Sequence, residues 1–323
     1  MRCVVFHGTG GREAMAVEDR PDPRPGRFEV LIAPRYAGVN PADVLQREGR
    51  HPVPAGYPAD IPGLEVAGPV VEVGDGVTGF APGDRAFGLV GGGGQAQLVL
   101  AEERQLLHVP DALDDRAAAA APQSFLTAFD ALVNQGRMRA GDVVLVNGAG
   151  GGVGSAAVQI AVCMRARVIA SVRTEAVRSR VAGLGGEALA PGHAFERARA
   201  LGGADVIVEL VGAPHMPGNM QALARGGRLV LVAGKPGEEV AVALRDLMSR
   251  RASLIGTTLR TRPAEEKAAL VQEFGRRVAP FLGDGTMVAH AGEVFPLERA
   301  ADAYDQVRTP GRFGKTLLEL PPA

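Results

Sequence analysis

The sequence predicts an α/β fold in two parts, a β-rich, barrel-like domain and a doubly wound parallel sheet. Three observations point there. The first third is a series of short strand-like segments broken by Gly and Pro, as in GDGVTGFAPGDRAFG. From Asp142 onward, short apolar strands alternate with helical runs, the pattern of parallel strands joined by crossover helices. Between the first of these strands and its helix stands a run of glycines, GAGGGVG. A chain of 323 residues is long enough for about two domains, and 46% hydrophobic residues is enough to give each a core.

In chain order, EVLIAPRYAGV (Glu29 to Val39) and EVAGPVVEVG (Glu65 to Gly74) have the β-branched, alternating character of strands, and GGGGQAQLVLA gives a flexible glycine run leading into another. Near Asp114 the character changes: DDRAAAAAPQSFLTAFDALVNQG is Ala-rich and helix-prone. DVVLVNG (Asp142 to Gly148) is then a buried strand, and SAAVQIAVCMRA the helix after the glycines. RVIASV (Arg167 to Val172), DVIVELV, GRLVLVAG and ASLIGTT (Ala252 to Thr258) are further strands. After Arg262 comes a helical stretch, followed by the strand-like GEVFPL, a helix at LERAADAYDQV and a last strand in FGKTLLEL. This C-terminal part is expected to rejoin the first domain.

Composition narrows the function. The formal net charge is -1 with no basic stripe in the sequence, so nucleic acid is a poor partner. Cys3 and Cys163 stand far apart, and neither a disulfide framework nor a CxxC metal knuckle can be built from them. A reducing, cytoplasmic compartment is expected. The opening MRCVVFHGTGG lacks the apolar core of a signal peptide, and no apolar run approaches the ~18 residues of a membrane span.

VVLVNGAGGGVGSAAVQIA carries the strongest chemical signal. Gly148, Gly151 and Gly154 let the backbone turn sharply and approach a pyrophosphate. Gly152, Val153 and Gly154 open a helix whose free N–H groups and dipole favour an anion. Strand, loop, helix and second strand follow in the order that a dinucleotide site requires. An acid at the end of the second strand would bind the ribose 2′-hydroxyl of NAD. Here the strand runs out in VIASVRTEAVR, and Arg173 is placed to meet a 2′-phosphate, so NADPH is favoured over NADH. Glu175 nearby would oppose a phosphate if turned inward. Gly234, closing GRLVLVAG, is counted with the cofactor residues.

The strings GVNPADVLQREG, IPGLEVAGPVVEVG, FAPGDRAFG, SFLTAFDAL, NGAGGGVGSAAVQIA, ASLIGTTLRTR and FGKTLLEL resemble the quinone oxidoreductase branch of the medium-chain dehydrogenases, nearest to its tumour-suppressor-inducible type. The resemblance implies a GroES-like catalytic domain (residues 1–122 and 263–323), a Rossmann cofactor domain (residues 123–262) and a homodimer in which strands such as ASLIGTT pair across a two-fold axis. It implies that Asn40 and Asp43, in NPAD, lie near the nicotinamide. Thr127 and Lys315 are implied as cofactor contacts. On the residues alone, Asn40 and Asp43 also read as a loop-capping pair. Zinc-dependent relatives would place a ligand at Asn40 and another at Leu64, and neither residue replaces a thiolate or an imidazole, so no metal is expected.

This chain departs from the nearest type at three positions: His51 stands where a Tyr is usual, Val177 where a Lys is usual, and Pro191 where a Tyr is usual. The expected activity is NADPH-dependent, zinc-independent reduction of a quinone, with Asn40 or His51 donating to the oxygen that gains charge. For His51, an unperturbed pKa near 6.5 suggests turnover rising as pH falls through about 6 to 7. The alternatives are an enone or alkenal reductase, and a catalytically weak NADPH-binding sensor or interaction module.

Overall fold

The computed structural model describes residues 1–234 and 237–323. The chain forms two compact units: Met1–Leu126 with Leu259–Thr309 and Gly314–Ala323, and Thr127–Thr258 with Pro310–Phe313.

The second unit is a six-stranded sheet in the order Glu187–Leu189, Arg167–Ser171, Val143–Asn147, Ala204–Glu209, Leu223–Leu231, Ser253–Gly256. All five pairings are parallel. Counted along the chain this is the order 3-2-1-4-5-6 of the dinucleotide-binding fold, which reverses direction between Val143–Asn147 and Ala204–Glu209. Val144, Leu145 and Val146 are fully buried, as strands covered on both faces must be. Leu145 packs with Ile169, Ile207 and Leu229 from neighbouring strands, and with Ala194 and Ala198 of the helix Pro191–Ala200, whose small side chains let it lie close. Each such buried Leu or Ile side chain contributes roughly 1.5–3 kcal/mol.

The first unit holds a five-stranded antiparallel sheet in the order Val99–Glu102, Glu29–Ile32, Glu65–Val73, Arg85–Leu89, Leu106–His108. It also holds a three-stranded sheet in which Lys315–Glu319 lies between Ala291–Pro296 and Tyr36–Val39. The register Thr316↔Val39 sets Lys315 beside Asn40, which begins the next element.

Two local expectations are corrected. EVLIAPRYAGV is two strands in two different sheets, not one. The break falls at Ala33-Pro34, where Pro34 has no N–H for a ladder and Gly68 packs so tightly that a Cβ there would stand 2.8 Å from the Pro34 Cα. The glycine run Gly91 to Gly94 is largely buried rather than flexible. It serves close approach: a Cβ on Gly94 would lie 2.5 Å from the Glu65 carbonyl oxygen, and one on Gly91 would lie 2.5 Å from the Tyr57 ring. The Ala-rich stretch is helical, as its composition suggests, but in pieces. Asp114 caps Asp115–Ala120 by accepting from the Ala117 N–H at 2.7 Å, Pro122 starts Pro122–Phe129, and Asp130–Gln135 widens into a π-helix.

Among the described residues no helix is long and apolar enough to cross a membrane.

Candidate active site and cofactor loop

In the second unit the loop between Val143–Asn147 and the helix Gly152–Cys163 is shaped by backbone alone. Gly148 has φ +73°, the left-handed region that glycine enters without strain. A Cβ on Gly154 would meet the Gly148 carbonyl oxygen at 2.4 Å and the Ala149 Cα at 2.6 Å, so the helix can lie this close only with glycine there. Gly151 is the N-cap, and the first turn leaves the N–H groups of Gly152, Val153 and Gly154 without intrahelical acceptors. The loop thus presents N–H donors at the positive end of a helix dipole, as a pyrophosphate requires. Thr127, on Pro122–Phe129, adds a buried hydroxyl with no hydrogen-bond partner among the described residues. Both features fit a dinucleotide.

Arg173 follows the strand Arg167–Ser171 and is exposed. Its carbonyl and that of Val172 each accept from Arg178 Nη1 at 3.3 Å, and Arg178 also pairs with Glu175. Glu175 is therefore engaged with Arg178, and the Arg173 side chain remains on the surface. Val177 is buried and packs on the loop: a Cβ on Gly150 would stand 2.7 Å from its Cγ1. Gly234 is exposed, beyond the strand Leu223–Leu231.

Sequence reasoning missed one cluster in this unit. Glu209, at the end of Ala204–Glu209, is fully buried. It accepts from Asn147 Nδ2 at 2.8 Å, Asn219 Nδ2 at 2.6 Å, and the N–H groups of Val211 and Gly212 at 2.5 and 2.9 Å. His215 Nδ1 stands 3.8 Å away, and burial holds that imidazole below its ordinary pKa against the pull of Glu209. The network ties together the ends of the two strands at the reversal point. An acid inside the apolar run DVIVELV, three residues before Gly212, was the available signal.

In the first unit, Asn40 precedes the helix Pro41–Arg47, and Asp43 accepts from the Asn40 N–H at 2.8 Å. The loop-capping pair is therefore present, and the Asn40 side chain is left for other partners. Its Oδ1 accepts from Lys315 Nζ at 2.5 Å, and its Nδ2 donates to Glu65 Oε1 at 3.0 Å. Lys315 Nζ also pairs with Glu65 Oε1 at 2.5 Å, with both side chains buried. Glu65 Oε2 accepts from the Gln123 N–H at 2.9 Å. Lys315, expected as a cofactor contact, thus spends its ammonium on Asn40 and Glu65. Glu65 had not been singled out.

Asp43 is wholly buried. Burial pushes its carboxyl up to about 6, against the lowering effects of the Asn40 N–H and of Arg260 and Lys315. It also accepts from the Gly63 N–H at 3.3 Å and from Gln95 Nε2 at 3.4 Å. Gln95 in turn receives the hydroxyl of buried Tyr304 at 2.9 Å.

His51 is half-buried. Its Nδ1 lies 3.4 Å from Arg260 Nη1 and 3.4 Å from the Pro52 carbonyl. Burial first, and then the Arg260 charge, lower its pKa below the ordinary value. The pH window read from an unperturbed histidine is corrected accordingly: His51 holds its proton less tightly, and the window moves to lower pH.

These residues do not fit a catalytic zinc. Where the first metal ligand would stand, the Asn40 oxygen faces an ammonium, and Leu64 offers no donor. Among the described residues no three His, Cys, Asp or Glu side chains gather as a metal site.

Residues 26–111 match the family model of the alcohol dehydrogenase GroES-like domain, and residues 152–275 that of the zinc-binding dehydrogenases. The quinone oxidoreductase of the rat, Rattus norvegicus, is 32% identical over 329 residues, spanning 99% of this chain and 98% of the relative. A crystal structure of the quinone oxidoreductase of Thermus thermophilus, solved also in complex with NADPH, is 33% identical with a TM-score of 0.86, covering 99% of this chain and 100% of that one. A crystal structure of an NAD-dependent alcohol dehydrogenase is 31% identical, again with a TM-score of 0.86 and coverage of 99% and 100%.

Proposed function

Since the chain belongs to the quinone oxidoreductase branch of the zinc-binding dehydrogenase superfamily, we propose that it reduces quinones with NADPH and without a metal, nearest in kind to the tumour-suppressor-inducible enzymes. The observation that carries this reading is the buried Asn40–Lys315–Glu65 cluster, in which an ammonium supplies the positive charge where zinc relatives would hold a metal ligand.

The residues divide the work. Gly148, Gly151, Gly152, Val153 and Gly154 receive the pyrophosphate on backbone N–H groups. Thr127 offers its unused hydroxyl, and Gly234 leaves the end of its strand open to the dinucleotide. Two solved relatives differ in cofactor, one bound to NADPH and one NAD-dependent. Here no acid stands at the end of Arg167–Ser171, Glu175 is paired with Arg178, and exposed Arg173 is available to a 2′-phosphate, which favours NADPH. Bound NADPH supplies the hydride.

Asn40 carries two amide hydrogens. Glu65 takes one, and the other is free to donate to the acceptor oxygen as it gains charge. Lys315 and Glu65 act through Asn40, fixing which way its amide faces. Asp43 fixes the backbone turn on which Asn40 stands. Neutral His51 is a second donor. Ser253–Gly256 is the outer strand of its sheet, and the neighbouring helix Leu244–Arg250 exposes Leu244 and Met248. This supports a homodimer that covers both edges.

The deciding experiment is an acceptor panel of quinones and enones, run with NADPH and with NADH in the presence of a chelator. Quinone-dependent oxidation of NADPH, undiminished by the chelator, is expected. Faster turnover of enones would move the assignment to a double-bond reductase. Loss of activity on chelation would overturn the metal-free mechanism, and NADPH binding without turnover of any acceptor would leave a binding module.

A further inference from the structure

Three more cations are buried in the first unit, Arg47, Arg260 and Lys267, and the last two are not neutralised as Lys315 is. Arg260 is 5% exposed, and Lys267, on the helix Ala264–Arg277, is 3% exposed. Among the described residues Arg260 donates only to neutral acceptors: the Gly91 carbonyl at 3.0 Å, Gln46 Oε1 at 2.6 Å and His51 Nδ1 at 3.4 Å. Lys267 Nζ sits 5.2 Å from the centre of the Tyr57 ring, a cation–π contact. Among the described residues neither forms an ion pair with a carboxylate, and the charge that acts most on Lys267 is Arg260, which repels it. Asp43 acts on Arg260 only through space. Unpaired buried charge is costly and is rarely kept without a partner.

Arg260 and Lys267 help to wall a small cavity together with Gln123 and the apolar side chains of Leu64, Val90 and Leu259. Its volume of about 10 Å³ holds one oxygen atom or one water. A mostly apolar wall to which two like-charged residues and Gln123 contribute is complementary to one oxygen of an ionised group attached to a hydrophobic body.

We infer that this cavity is an anion subsite that seats a carboxylate of the acceptor, so that the enzyme prefers a quinone-type acceptor bearing an acid over the same ring without one. The inference rests on the proposed acceptor reduction, but it makes a separate claim about binding. A free inorganic anion has the same chemistry and is distinguished by the test.

The full-length protein is titrated calorimetrically with benzoate, benzamide and nitrate. Turnover is measured in parallel with 1,4-naphthoquinone and with the same ring carrying a carboxylate. Benzoate is expected to bind at least about tenfold tighter than benzamide, a difference on the order of 1.4 kcal/mol. The carboxylated quinone is expected to show the higher kcat/KM by a similar factor. Lys267→Met should erase both preferences and Lys267→Arg should restore part of them. Without ligand, Lys267→Met should melt no lower than the parent, since it removes an unpaired buried charge; should it fail to fold, Lys267→Gln takes its place. Equal binding of benzoate and benzamide, or a preference that survives loss of the Lys267 charge, would overturn the subsite. Nitrate binding as tightly as benzoate would assign the cavity to free anions and overturn its role in substrate choice. If neither quinone is reduced, the proposed activity fails, and the benzoate titration still decides the subsite.

Discussion

The glycine loop of the second unit and the Asn40 cluster of the first both hold polar partners, but they are made of different material. The loop is backbone: glycines at Gly148 and Gly154 bring main chain against main chain and leave N–H groups facing outward. The cluster is side chain: an amide, a carboxylate and an ammonium, buried and paired with one another. A backbone site depends on what cannot be added to it, and a side-chain site depends on what cannot be taken away. Substitutions should therefore fail in opposite ways at the two places.

The largest effect is expected at Lys315→Met. Removing one member of a buried ion pair leaves Glu65 charged without its cation, held only by the Asn40 amide and the Gln123 N–H, and such losses run to about 3–5 kcal/mol. Denaturant unfolding should report that drop, and Lys315→Met combined with Glu65→Gln should recover much of it. Full stability in the single variant would show that the pair does not hold the site.

Two glycine substitutions come next. In Gly154→Ala the new methyl group meets the Gly148 carbonyl oxygen at 2.4 Å, and overpacking of this kind costs about 1–3 kcal/mol. In Gly151→Ala the nearest atom, the same oxygen, is 3.9 Å away. The first variant should lose melting temperature and cofactor binding together. The second should keep its stability and lose cofactor affinity alone, because its methyl group stands only where the dinucleotide would come. Equal melting losses in both would break the distinction between fold and site.

Arg173→Ala tests a side chain added to the backbone site. A charge-assisted contact to a 2′-phosphate is worth roughly 1.5–3 kcal/mol, so NADPH should bind on the order of 10- to 100-fold more weakly. NADH binding should hardly change. Equal losses for the two cofactors would contradict the assignment.

The smallest effect concerns His51. Its folded pKa is lowered, so the unfolded chain binds the proton more readily, and stability is lost as pH falls below the unfolded value near 6.5. His51→Phe should flatten that acid-side loss in thermal melts. If protonated His51 also assists turnover, the rise in rate lies below pH 6.5 and disappears in the same variant. Unchanged profiles in both measurements would return His51 to an ordinary loop residue.

The same contrast decides what the sequence could reveal. The dinucleotide loop was legible because strand, glycines, helix and second strand are neighbours in the chain, and each follows from local rules of burial and sterics. The parallel order of the sheet followed from the same succession. Asn40 and Asp43 stood out within NPAD, but Glu65 did not, and Lys315 stood out only as a cofactor contact. Glu65 and Lys315 reach Asn40 from sequence separations of 25 and 275 residues, and no periodicity encodes such a meeting. Arg260 on His51, and Asn147 and Asn219 on Glu209, were hidden for the same reason. The break at Pro34 was visible as a residue, but not as a change of sheet, because that depends on which later strand each half meets.

The pairing of Tyr36–Val39 with Lys315–Glu319 also sets a timetable for biosynthesis. A strand made early in translation must wait for one made near the end. At roughly 5–20 residues per second, a separation of 275 residues means a delay on the order of tens of seconds. During that interval Thr127–Thr258, whose sheet is complete within one uninterrupted stretch, has every strand it needs. The first unit does not, and its early strands present unpaired edges of the kind that chaperones cover. The nascent chain is therefore expected to consolidate from the middle outward, with nucleotide-loop folding preceding closure of the substrate-side sheet.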